Sequence, residues 1–113
     1  MQAKPVQTET MNLHITKNIQ FTRLVKANYH LKEFNFRRIN GSIEETFHVD
    51  VNDDRGNRLM FKMRKDDKSQ WRIVQQALPQ WIFEAEPKLH ELILAELEEE
   101  ERMRSLGQSV FDR

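Results

Sequence analysis

The chain has 113 residues, 18 of them basic and 18 acidic, so its formal net charge is zero. It contains no cysteine, which excludes a disulfide framework, and no apolar run approaching a membrane span. A hydrophobic fraction of 38% with seven Phe, two Trp and one Tyr argues against wholesale disorder, and the length suits one domain around one core.

The first eighteen residues lack the basic start and apolar stretch of a secretory leader, so a cytoplasmic location is expected. Residues 1–17 mix polar groups with Pro5 and hold no sustained period, which reads as a flexible arm. From Asn18, a residue suited to an N-cap, Ile19, Phe21, Leu24, Val25 and Tyr29 fall roughly three and four apart. That spacing predicts a short N-terminal helix. A strand competes with it, because Ile19 and Phe21 also alternate and Thr22, Val25 and Tyr29 suit a sheet.

The middle of the chain alternates with a period of two. Leu31–Ile39 carries Phe34 and Phe36 on one side and ends at Asn40-Gly41, a pair that favours a two-residue hairpin turn. Ser42–Asn52 places Ile43, Phe47, Val49 and Val51 on one side, with Glu45 the exception, and Thr46, His48, Asp50 and Asn52 on the other. After the turn at residues 53–57, Leu59, Phe61 and Met63 resume the apolar face, and the polar stretch Lys65–Gln70 turns the chain into Trp71 and Ile73. No internal repeat is evident. Pro79 suits a first helical turn, and Ile82, Ala85, Leu89, Leu92, Ile93 and Leu97 then recur at helical spacing, with a break expected near Glu86 because of Pro87. Gly107 marks the expected helix end.

The expected fold class is therefore α+β: a four-stranded antiparallel β-meander covered on one face by a C-terminal helix, with a short N-terminal helix. Its boundaries are residues 18–106, followed by a frayed tail at 107–113. Trp71 and Trp81 are expected to pack at one end of the sheet, with contact to a partner as the alternative.

Alternation leaves a polar face carrying Asn35, Arg37, His48, Asp50, Met60, Lys62, Arg64, Arg72 and Val74. Arg37, Lys62, Arg64 and Arg72 on such a face could follow a phosphate backbone, since each neutralised phosphate releases condensed counterions. The plainer reading is the water-facing side of an ordinary antiparallel sheet. A meander followed by a helix resembles the unit of dimeric single-strand nucleic-acid binders such as the Whirly and Pur-alpha types, over residues 31–103. The resemblance is one of architecture and assigns no residue a role.

Charge is uneven along the chain, with 14 Lys/Arg against 9 Asp/Glu in residues 1–72 and 4 against 9 in residues 73–113. The run Glu98–Glu101 reads as a solvated helix end, or as a segment that shields a basic surface.

The sequence carries little of the patterning that catalytic chemistry needs. The four histidines show no zinc spacing, the three glycines lie far apart, and no serine sits in a nucleophile elbow. His48 and Asp50 share a strand face and form a distant option for a metal or a proton. Residues 50–61 fail as a calcium loop, because glycine comes one place late and Phe61 stands where a glutamate is needed.

The expectation is a non-catalytic module without cofactor. It binds single-stranded nucleic acid or another polyanion, or alternatively a protein through the helix or a sheet edge. Two unclosed edges and the apolar Leu92, Ile93 and Leu97 of the helix suggest a homodimer.

Overall fold

A computed structural model describes residues 19–38 and 45–111. Five strands, β1 (Gln20–Ala27), β2 (His30–Arg38), β3 (Thr46–Asn52), β4 (Arg58–Lys65) and β5 (Trp71–Ile73), precede two helices, α1 (Gln80–Glu84) and α2 (Glu86–Phe111). The strands lie in sequence order in one antiparallel sheet, curled as a half-barrel around the helices. The α+β meander with its C-terminal helix is thus present, with one strand more than the sequence suggested. The expected arm, the Asn18 cap and the Asn40-Gly41 turn fall outside the described residues.

The added strand replaces the expected N-terminal helix. Ile19, Phe21, Val25 and Ala27 are buried in β1, whereas Leu24, which a helical stripe would bury, is 64% exposed. Pairing decided between the two periods: the antiparallel register along β1 and β2 sets Phe21 opposite Phe36, whose rings stack at 4.4 Å. Asn28 and Tyr29 connect β1 to β2 with φ of 55° and 70°, the left-handed pair of a type I′ turn.

The two later hairpins use one turn chemistry twice. In Asp53-Asp54-Arg55-Gly56-Asn57 the Asp53 carboxylate accepts the N–H groups of Arg55 and Asn57, and in Asp66-Asp67-Lys68-Ser69-Gln70 Asp66 accepts those of Lys68 and Gln70. Gly56 and Ser69 occupy the same left-handed place, at φ 84° and 64°. These backbone donors, Asn57 and Gln70 foremost, hold both carboxyls below the ordinary aspartate range.

The inward face carries Phe34, Phe36, Phe47, Val49, Val51, Phe61, Met63, Trp71 and Ile73, covered by Ile82, Ala85, Leu89 and Ile93. Leu92 and Leu97 are half-buried against this core, while Ile93 is fully enclosed. The two tryptophans separate: Trp71 packs edge-on to Phe47, and Trp81 lies under Lys32 of β2. Pro87 breaks the helix pair as expected, with Ala85 capping α1 and Leu89 N–H returning to the Ala85 carbonyl. The helix α2 continues through Gly107 to Phe111 rather than ending at the glycine. Among the described residues, no helix is long and apolar enough to cross a membrane.

Candidate functional site

On the side of the sheet away from the helices, alternation and register assemble Lys26, Arg37, Arg58, Lys62, Arg64 and Arg72 against Glu33 and Asp50. The face is basic although the whole chain is neutral. The pairings Arg37↔His48 and His48↔Lys62 place three side chains in one row across β2, β3 and β4. Neighbouring strands are about 4.8 Å apart, so the row brings two cations within roughly 10 Å of each other around an imidazole. Partial burial, then Lys62 and then Arg37, push the His48 pKa below its ordinary value, because each disfavours a further positive charge. The row borders a depression of about 350 Å³ that also touches Gln20, Asn35, Met60 and Gln76.

Cation pairing is complete on one face and partial on the other. The inward face also holds four cations, and each meets a carboxylate: Arg23 with Glu96 at 2.7 Å, Lys32 with Asp54 at 2.6 Å, Arg38 with Glu100 at 4.0 Å and Lys65 with Glu45 at 3.0 Å. Glu96 and Glu100 lie one helical turn apart on α2, so part of the acidic segment does neutralise basic groups of its own chain. On the outer face Arg58 pairs with Asp50, and Arg72 sits 3.3 Å from Glu86 and 4.0 Å from Asp66. Among the described residues, Arg37 and Lys62 have no carboxylate within ion-pair distance.

Of the four cations singled out from sequence, the fold therefore joins Arg37 and Lys62 through His48. It places Arg64 directly opposite Arg72 at the β5 side, where Arg72 is already engaged by carboxylates. The row itself has no sequence signal, because it depends on register between strands distant in the chain. The inward cations were readable, since Lys32 and Arg38 share the parity of Phe34 and Phe36.

Asp50 is also committed. It accepts from Asn35 Nδ2 at 2.9 Å and Arg58 Nη2 at 3.0 Å, and Thr22 Oγ1 donates in turn to Asn35 Oδ1 at 2.6 Å, a polar chain spanning β1 to β4. With both Asp50 oxygens engaged and His48 flanked by cations, the pair makes a poor seat for a metal cation. Among the described residues, no group of three or more His, Asp or Glu side chains could hold a metal. No family model, curated protein or solved structure matches the chain, so the architectural resemblance rests on element order alone.

Proposed function

We propose that this protein is a non-catalytic module that binds a phosphate-bearing polyanion, with single-stranded nucleic acid as the ligand class, across the outer face of its sheet. The observation that carries the reading is the difference in pairing: inward cations are matched with carboxylates, while Arg37 and Lys62 flank an imidazole without one. Two cations left unmatched on a rigid sheet attract an anion without first breaking an internal ion pair. Arg64 and Arg72 lie further along the same face toward β5, where Arg72 is held by Glu86 and Asp66. The reading requires little of aromatic stacking, since the phenylalanines are in the core; Tyr29, 90% exposed at the β1–β2 turn, offers one stacking surface.

The test is fluorescence anisotropy with labelled single-stranded and duplex oligonucleotides over a salt series. Binding should weaken steeply with salt, and the variant carrying Arg37→Ala and Lys62→Ala should flatten the slope of log K against log salt by roughly 1.4, or about 0.7 per lost phosphate contact. Absence of binding at low salt, or a slope unchanged in the double variant, would refute the proposal.

A further inference from the structure

The two edges of the sheet are finished differently, and from this difference we infer that β1 is the interface of a symmetric homodimer. In it, the β1 strands of two copies pair antiparallel about Leu24 and join two five-stranded sheets into one. The inference goes beyond the anion-binding reading and does not depend on it.

At the β5 edge the outward N–H groups are already used. Trp71 N–H donates to His90 Nδ1 at 3.0 Å and Ile73 N–H to Glu86 Oε2 at 2.6 Å, both acceptors projecting from α2. Helix side chains thus stand where a further strand would pair. The β1 edge is eight residues long, and among the described residues no helix side chain accepts from its outward N–H groups. Its two-residue turn makes Ala27 and His30 a bonded pair, and the Arg38 N–H donates to the Ile19 carbonyl, so odd-numbered residues of β1 bond to β2. The N–H and carbonyl groups of Gln20, Thr22, Leu24 and Lys26 consequently point away from the sheet. Among the described residues, the single partner recorded for them is Arg23 Nη1 on the Thr22 carbonyl, a solvent-exposed contact that an incoming strand could replace.

A second copy suits this edge because the edge is complementary to itself when the pairing is centred on Leu24. Centred on Leu24, the pairing sets Leu24 against the partner's Leu24, Thr22 against the partner's Lys26, and Arg23 against the partner's Val25, so no charge faces its like. A shift that centres the pairing on Arg23 would oppose two guanidiniums. On the outer face Leu24 is 64% exposed and Leu31, diagonal to it on β2, is 68% exposed. The Leu24 register lines up Leu31, Leu24 and their two counterparts in one apolar strip across the junction, while Thr22, Leu24 and Lys26 exchange six backbone hydrogen bonds with their mates. The two-fold axis also closes the assembly, because the joined sheet ends at both sides on the capped β5 strand.

The chain's lack of cysteine makes the test specific. Bonded antiparallel partners have Cα atoms about 5.5 Å apart, inside the range of about 4.4–6.8 Å that a disulfide spans. Sedimentation of the unmodified protein at micromolar concentration should give twice the 13.6 kDa chain mass. Leu24→Cys should oxidise to a covalent dimer, Lys26→Cys alone should not, and a mixture of Thr22→Cys with Lys26→Cys should cross-link. Leu24→Pro removes an outward N–H that β2 does not use, together with the apolar side chain at the centre of the junction, and should yield a monomer with an unchanged circular dichroism spectrum. A monomer at about 100 µM, a dimer that survives Leu24→Pro, or a dimer whose Leu24→Cys form fails to cross-link would each overturn the inference.

Discussion

His48 is the imidazole of the outer face, set between Arg37 and Lys62 in one row across three strands. Its folded pKa lies below the unfolded value of about 6.5, so the folded chain binds fewer protons between those two values. Its contribution to stability is therefore present above pH 6.5 or so and is lost as pH falls through the folded pKa. An anion held by Arg37 and Lys62, as proposed, would offset the repulsion that lowers this pKa, so binding would draw a proton onto the imidazole and tighten on acidification. Oligonucleotide affinity at fixed low salt should rise roughly two- to tenfold between pH 7.5 and pH 5.5, and His48→Gln should abolish the rise. Equal gains in both proteins would show that other groups carry the pH dependence. Within the core the magnitudes are larger: Phe47 is fully buried between Phe21 and Trp71, so Phe47→Ala should cost about 3–5 kcal/mol in urea unfolding.

At the scale of elements, turn chemistry and strand parity explain what the sequence could and could not convey. Strands β2 to β5 were legible because phenylalanines alternate with polar residues between strong turn signals. Strand β1 was obscured by a turn of Asn28 and Tyr29, where the residue that announces a type I′ hairpin, a glycine in the second place, is missing. The same deficit makes a testable stability statement. Tyr29 and Ser69 both hold positive φ without being glycine, at a cost of about 1 kcal/mol each. Tyr29→Gly and Ser69→Gly should each raise the unfolding free energy by roughly that amount. Gly56→Ser should lower it by a similar amount, from backbone strain alone, since no atom lies within 4 Å of the added Cβ. Thermal denaturation of the three variants checks all the signs. The duplicate turn was present in the sequence as Asp-Asp-Arg-Gly-Asn and Asp-Asp-Lys-Ser-Gln, but it becomes visible as a repeat only when the paired carboxylate bonds reveal which positions are equivalent.

For the whole molecule, the consequence of the proposed edge pairing is a surface larger than one chain can offer. A two-fold axis perpendicular to the joined sheet leaves both sets of helices on one side and both basic faces on the other. A nucleic-acid strand long enough to cross the junction would meet Arg37 and Lys62 of both copies, doubling the phosphates neutralised in one binding event. The slope of log K against log salt scales with that number, at about 0.7 per phosphate for a single strand. Leu24→Pro changes neither the charge nor the residues of the row, and so separates assembly from contact. On a long oligonucleotide its slope should fall to about half that of the unmodified protein, while on one short enough to span a single chain the two slopes should coincide. Equal slopes at both lengths, with Leu24→Pro verified as a monomer by sedimentation, would mean that each copy binds alone and that the edge serves assembly without enlarging the anion site.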